Sequence, residues 1–286
     1  MSVQAEGPAP ESFLSGRVGY VGRGRARGLR LADGLLDLGL RLRGVSRRLD
    51  VLAGELPARR VLVLCAYRPE SGRAAAAAAE LQASRHDVRL AFGSTGQPRS
   101  ELAEVTVTSG LRGGKFQNLN AIMGATGSGA EDWTLLVDDD VRLPTRFLDR
   151  MLAVCERSEL QLAQPALTLA SHGAWAVTRR RARSLARETR FVEIGPVTLL
   201  ARKAASELVP FPDLRFGWGL DLHWAALAGR RGWRLGVVDA LPVRHDLAGV
   251  ASGYPHAEAV AEAQGFLAGR TYLPASEANV TLRELP

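Results

Sequence analysis

The segment Trp-Thr-Leu-Leu-Val-Asp-Asp-Asp-Val-Arg-Leu-Pro at residues 133–144 constrains the chain more than any other. Residues 134–137 form an apolar run of the length and composition of a buried strand. Three carboxylates follow without a break: Asp138, Asp139 and Asp140. After Pro144 a helical pattern begins, with Phe147, Leu148, Met151, Leu152 and Cys155 on one face. The acids therefore fall where a strand ends and a helix is about to start. Open α/β sheets bind their ligands at that edge.

Side chains alternate along extended chain, so Asp138 and Asp140 point the same way, about 6–7 Å apart. At an effective dielectric near 20 their mutual repulsion is ~2–3 kcal/mol. A divalent cation beside them, shared with a diphosphate, reverses that sign. Oxygen ligands in an incomplete shell suit magnesium or manganese. An acidic loop in water is the plainer reading of an Asp triplet, but the buried strand leading straight into it favours the metal.

The rest of the chain supplies a matching scaffold. Apolar or alternating runs at 60–67, 87–92, 104–108, 161–167, 191–200 (interrupted by Gly195 and Pro196) and 233–238 read as strands. Helical patterns fall at 73–83, after Lys115, at 179–190, from Asp221 onward and at 256–268. This alternation predicts an α/β fold, a mostly parallel central sheet with helices on both faces.

An N-terminal amphipathic helix precedes it. Leu31, Leu35, Leu38, Leu42, Val45, Leu49, Leu52 and Leu56 recur in steps of four and three, a seam of nearly four heptads. Gly34, Gly39, Gly44 and Gly54 each weaken that helix by about 1 kcal/mol relative to Ala. The seam has three uses: packing on the body of its own chain, the ordinary fate of such a helix; pairing as a homodimer through residues 31–56; or lying on an anionic membrane. Residues 1–28, rich in Gly, Pro, Ser and Arg, are expected to be disordered. The divisions are then 1–28, the helix at 29–57, a main domain at 58–275 and a tail at 276–286.

The 286 residues, 46% hydrophobic, suit one large α/β domain with additions or two small ones. No run reaches the ~18 apolar residues of a membrane span. Glu6 and Glu11 interrupt the N-terminus, so no secretory signal is visible. Cys65 and Cys155 both fall in apolar runs and imply no disulfide framework. These features point to a cytoplasmic protein, with peripheral membrane attachment as a variant. The net charge of +7 is almost all arginine, since Lys115 and Lys203 are the only lysines. A GC-rich genome produces that bias without function. No nucleic-acid partner is expected.

Three further motifs carry chemistry. Gly113, Gly114 and Lys115 open a helix that also bears Asn118 and Asn120, in a chain with three asparagines. A helix N-terminus beside a lysine is an anion site. The spacing is not that of a Walker loop. Around Trp218, a Gly-rich turn leads into a helix beginning near Asp221, whose apolar neighbours Leu220, Leu222 and Trp224 suggest a partly buried carboxylate suited to act as a base. His245 follows another strand, at a place that would let it complete a metal site, although a lone histidine usually has a structural job. Glu193 reads equally as an inward acid or an edge-strand charge.

Taken together, Ala66-Tyr67-Arg68, Gly114-Lys115 with Asn118 and Asn120, Asp138-Asp139-Asp140, and Asp221 followed by His245 resemble the motifs of the GT-A glycosyltransferases, the family-2-like group in particular. The likeness covers about residues 60–268. Residues 191–197 and 217–221 also look like a plant and bacterial group of glycosyltransferase-like proteins. The resemblance implies a GT-A (Rossmann-like) fold, a nucleotide-diphosphate-sugar donor, and Mn2+ or Mg2+. It places Asp140 and His245 on the metal and Asp138 with Asp139 at the nucleoside. Tyr67 and Arg68 would border the base, and Lys115, Asn118 and Asn120 the nucleotide. Asp221 would take the proton of an attacking acceptor hydroxyl, with inversion. The acceptor, a small molecule or a glycan, would meet Trp175, Glu193, Trp218 and His223.

Two departures stand out: Leu220-Asp221 replaces the usual Glu-Asp pair, and the arginine-rich motif of processive enzymes is absent. A HAD-type phosphatase would need Thr or Val where Arg142 stands. A sugar-nucleotide nucleotidyltransferase would need a Gly-rich turn where Tyr67 to Glu70 stand. A non-catalytic partner-binding protein built on the heptad helix would leave the acids without a role.

Overall fold

The computed structural model describes residues 23–127, 131–245 and 255–285. In chain order the elements are α1 (Arg23–Leu42), α2 (Val45–Glu55), β1 (Arg60–Tyr67), α3 (Gly72–Gln82), β2 (Asp87–Ser94), β3 (Thr106–Thr108), α4 (Lys115–Thr126), β4 (Trp133–Val137), β5 (Val141–Arg142), α5 (Phe147–Arg157), β6 (Leu162–Leu167), β7 (Ala186–Thr189), β8 (Val197–Ala201), α6 (Arg202–Leu208), α7 (Leu220–Arg231), β9 (Leu235–His245), α8 (His256–Leu267), α9 (Ala275–Ala278) and β10 (Thr281–Leu285).

The sheet runs β10-β7-β9-β6-β8-β4-β1-β2-β3. β3, β2, β1 and β4 are parallel; β8 is antiparallel to both β4 and β6, and β9 runs parallel to β6. Along this path β7 and β8 oppose the common direction, as does β5, which lies off it and pairs antiparallel with β9, so the sheet is mostly parallel, as the strand–helix alternation predicts. Its two faces carry separate apolar layers. In β1, Val61, Val63, Cys65 and Tyr67 join the layer built with α2, α3 and α5. Leu62 and Leu64 join the other, built with α4, α7 and α8, and Ala66 packs against it. That period of two decides which residues at the end of β1 reach the ligand side.

The structure changes five expectations. The heptad seam is not one helix: Gly44, with φ +67°, separates α1 from α2. Val45, Leu49 and Ala53 of α2 are buried in contact with the body, whereas Leu31, Leu35, Leu38 and Leu42 of α1 face outward. α1 also begins at Arg23, inside the segment expected to be disordered; residues 1–22 lie outside the described residues.

The stretch 179–190 is not a helix. It runs as turn and loop into β7, because its arginines are drawn inward: Arg187 pairs with Asp239 at 2.7 Å and Arg180 with Asp33 at 3.3 Å, all four buried. Residues 191–196 form a loop rather than strand, and Gly195–Pro196 is a cis peptide. Residues 276–286 are no mere tail, since β10 pairs with β7 and closes one edge of the sheet.

Candidate active site

The site forms where β1 and β4 end and α4 begins. Ala66, Arg68, Thr95, Lys115, Asn118, Leu119, Val137, Asp138, Asp139, Asp140 and His245 line a cavity of about 280 Å³. The cavity edge is the carboxyl end of the parallel strands, where the residue order places it.

The three acids have different surroundings. Asp139 is fully engaged by Arg68, which donates its backbone N–H at 2.8 Å and Nε and Nη2 at 3.0 Å each. Ser71 donates its hydroxyl to the Asp139 carbonyl, and Arg73 Nη1 donates to the Asp140 carbonyl at 2.8 Å. The turn after β4 is thus bolted to the start of α3. Asp138 Oδ1 lies 2.6 Å from Lys115 Nζ, which also donates to the Ile194 carbonyl at 2.8 Å. Burial pushes the Asp138 carboxyl above its ordinary range, and Lys115 pulls the other way.

Asp140 Oδ2 lies 3.2 Å from His245 Nε2. β5 and β9 make this contact by pairing Val141 with His245. For Asp140, burial acts to raise the carboxyl, but the histidine outweighs it and the net shift is downward. For His245, burial opposes the charge, but Asp140 outweighs it and holds the imidazole above its ordinary value. His245 Nδ1 lies 3.4 Å from the His172 carbonyl. With Nδ1 donating there, Nε2 turns a lone pair on the Asp140 carboxylate, and two acceptors at this distance require a cation or a proton between them. The donor set fits a divalent metal completed by phosphate oxygens. Among the described residues, no group of three or more His, Cys, Asp or Glu is arranged to hold a metal by protein ligands alone.

The loop before β8 links this cavity to two further acids. Ile194 offers its carbonyl to Lys115 and its N–H to the Asp221 carboxyl. Asp221 sits in the first turn of α7, after Gly217 and Gly219, both at positive φ. Leu222 N–H donates to it at 2.9 Å. Burial, then the neighbouring Glu193 charge, raise the Asp221 carboxyl to about 8. Burial raises Glu193 to about 7. Ala174 N–H donates to Glu193 Oε1 at 3.3 Å, while Oε2 is buried with no hydrogen-bond partner among the described residues. Glu193 is therefore an inward acid, not an edge charge.

Some expected ligands do other work. Tyr67 points to the opposite layer, fully buried, its hydroxyl 2.8 Å from Thr106 Oγ1. Ala66 and Thr95 line the cavity instead. Asn120 clamps Phe211, donating to its carbonyl at 2.8 Å and accepting from its N–H at 2.9 Å. Asn118 lines the cavity while clamping Gly113 through two bonds of 3.0 and 2.9 Å. Trp175 is buried, its ring centre 4.5 Å from that of Phe191 with the planes tilted by 47°. His223 Nδ1 is 2.8 Å from the Thr271 carbonyl, and Trp218 lies beside His256 with ring centres 5.6 Å apart.

Gly195 is a site residue the strand pattern concealed: a Cβ there would stand 2.7 Å from Lys115 Nζ and 3.1 Å from Asp138 Oδ2. Its signal was the Gly-Pro interruption of an otherwise apolar run. Gly114 is similar, since its missing Cβ lets the Arg215 carbonyl pack against the start of α4.

No family model matches the chain, and no curated protein sequence does. Solved structures do. The mannosyltransferase PcManGT from Pyrobaculum calidifontis, solved with GDP-Man and Mn2+, is similar at 16% identity and TM-score 0.52, over 80% of this chain and 69% of that one. GalNAc-T7, solved with UDP, GalNAc and Mn2+, is similar at 12% identity and TM-score 0.51, over 67% of this chain and 44% of that one. The chain thus spans less than half of the second. These likenesses show the fold, which is that of the GT-A glycosyltransferases.

Proposed function

We propose that the protein is a metal-dependent glycosyltransferase that moves a sugar from a nucleotide-diphosphate donor to an acceptor hydroxyl. The observation that carries this reading is the contact of Asp140 Oδ2 with His245 Nε2 at 3.2 Å in a cavity lined by Lys115 and Asp138. A metal-and-diphosphate site needs that combination. The fold supports the reading, because both similar structures named above were solved with Mn2+ and a nucleotide or nucleotide sugar.

In this reading Asp140 and His245 hold Mn2+ or Mg2+, which when bound neutralises the departing diphosphate as a Lewis acid. His172 orients His245 through its carbonyl. Asp138, paired with Lys115, receives the nucleoside side of the donor, and Arg68 with Asn118 flanks it. Asp139 acts through Arg68 as a positioning residue, since its oxygens are already engaged. Asp221 is the group that takes the acceptor's proton. Its raised affinity for protons suits a base working near neutral pH. A base acting on the incoming hydroxyl while the diphosphate leaves from the other face gives inversion. Glu193 and Trp218 are the acceptor-side residues most consistent with this geometry.

Calorimetric titration with UDP, GDP and dTDP, with Mn2+ or EDTA, tests the reading. Binding of one nucleotide that needs the metal and is lost in Asp140→Ala is expected. No binding of any of them would overturn it.

A further inference from the structure

α1 is turned the opposite way from most surface helices. Its inward face is anchored by a carboxylate: Asp33, buried, accepts from the N–H groups of Leu169 at 2.9 Å and Ala170 at 3.0 Å and pairs with the buried Arg180. Ala26 and Leu40 are buried on the same side. Its leucines point outward, with Leu31 at 74% exposure, Leu35 at 70%, Leu38 at 49% and Leu42 at 79%. At about 100° per residue the four fall within roughly 60° of one another, a single stripe. Val51 of α2, 55% exposed, adds to the apolar surface.

The surroundings of the stripe are basic. Arg25, Arg27, Arg30, Arg41, Arg47 and Arg48 are exposed on α1 and α2, and Arg43 in the turn between them. The two acids of α1, Asp33 and Asp37, are both paired with Arg180. A second cavity, of about 540 Å³, lies along the flank of α1, where Asp37, Leu40 and Arg41 rather than the stripe leucines line it, between α1, α5 and the β5–β9 ribbon. Arg41, Arg142 and Arg244 line it. Arg142 and Arg244 are cross-strand partners, a like-charge pairing that is unfavourable by itself. Arg244 Nε is buried without a hydrogen-bond partner among the described residues. The carboxylate in its lining, Asp37, is paired with Arg180.

We propose that this face docks on an anionic lipid bilayer, the leucine stripe entering the acyl boundary and the arginine cavity taking a lipid headgroup phosphate. Charge complementarity selects this occupant. A second copy of α1 would bring arginine against arginine, while the two acids of α1 are already paired with Arg180. A stripe of four leucines also falls short of the ~800 Å² per partner of a stable protein interface. An apolar stripe edged by arginine is the pattern of helices that lie in the membrane interface. The inference does not depend on the transferase reading, because its surface and its readout are separate from the acid cavity.

The test is co-sedimentation of the full chain with vesicles of phosphatidylcholine alone and of phosphatidylcholine with phosphatidylglycerol. Binding is expected only to the anionic vesicles, to weaken as salt rises, and to fall at least about tenfold in L35E/L38E. Both changed positions are exposed, and circular dichroism checks that the variant is folded. R142Q/R244Q is expected to weaken anionic binding while leaving the leucine stripe intact. Failure of the wild type to bind anionic vesicles at low salt would overturn the proposal. So would equal binding by L35E/L38E, or a dimer in sedimentation equilibrium that the leucine changes dissolve.

Discussion

Asp140 and His245 meet at 3.2 Å because a two-residue strand, β5, pairs with the last residues of β9 and sets Val141 opposite His245. The contact brings a carboxylate and an imidazole to the mouth of a cavity that already holds Asp138 and Lys115. His245→Ala is expected to lower Mn2+ affinity about 10–100-fold and to leave the fold intact, since His245 is half-buried and carries no core packing. Isothermal titration with MnCl2 in the presence of the preferred nucleotide checks this; unchanged affinity would remove His245 from the metal site.

Asp221→Asn should separate activity from stability. An acid whose folded-state value is raised from 3.8 to about 8 holds its proton longer in the folded chain than in the unfolded one. Its penalty is absent below the unfolded value, grows as pH rises between the two, and is complete above about 8. The amide variant escapes that penalty. It should be more stable than wild type at alkaline pH, by about 1–3 kcal/mol, with no such gain near pH 4. Turnover should fall by about 10²–10⁴. Urea melts across pH and a donor-consumption assay give the two readings.

Glu193→Gln should move the pH profile. Glu193 is the second cause, after burial, of the raised Asp221 carboxyl. With a neutral amide beside it, Asp221 should lose its proton more readily, and the rising limb of activity should shift to lower pH. An unshifted limb would show that the two carboxyls are not coupled.

The buried pair of Arg187 and Asp239 holds β7 to β9 through bonds of 2.7 and 3.0 Å. Asp239→Asn leaves a buried guanidinium without its charge partner and should cost about 3–5 kcal/mol. Replacing both residues by apolar ones of similar volume should cost far less. Chemical denaturation of the single and double variants measures the difference.

Gly195→Ala should act on the site rather than the fold. The added methyl meets Lys115 Nζ at 2.7 Å, the flexible end of a side chain, and should push it from Asp138. Nucleotide affinity is expected to drop several-fold while the melting temperature barely moves. A large loss of stability instead would mean that the loop, not the lysine, had given way.

Much of this architecture is written locally. The apolar runs at β1, β4 and β6 and the acids after β4 appear in sequence because a strand buried on both faces must be apolar along its length, and the run of carboxylates marks where the strand ends. The start of α4 at Lys115 and of α7 near Asp221 is legible from the glycines before them: Gly114 admits the Arg215 carbonyl, and Gly217 and Gly219 permit the turn before α7. The side-chain partners are not local. Nothing near Arg180 or Arg187 announces Asp33 or Asp239, so a basic stretch reads as an exposed helix when it is loop and strand held by buried ion pairs. Tyr67 and Asn120 have the right chemistry for a ligand, but the pleat of β1 and the approach of Phe211 spend them on the scaffold. Periodicity establishes that α1 has an apolar stripe, yet which side of a helix faces the body depends on what the body offers. Here the body offers the N–H groups of Leu169 and Ala170 and the guanidinium of Arg180, so Asp33 turns inward and the leucines turn out.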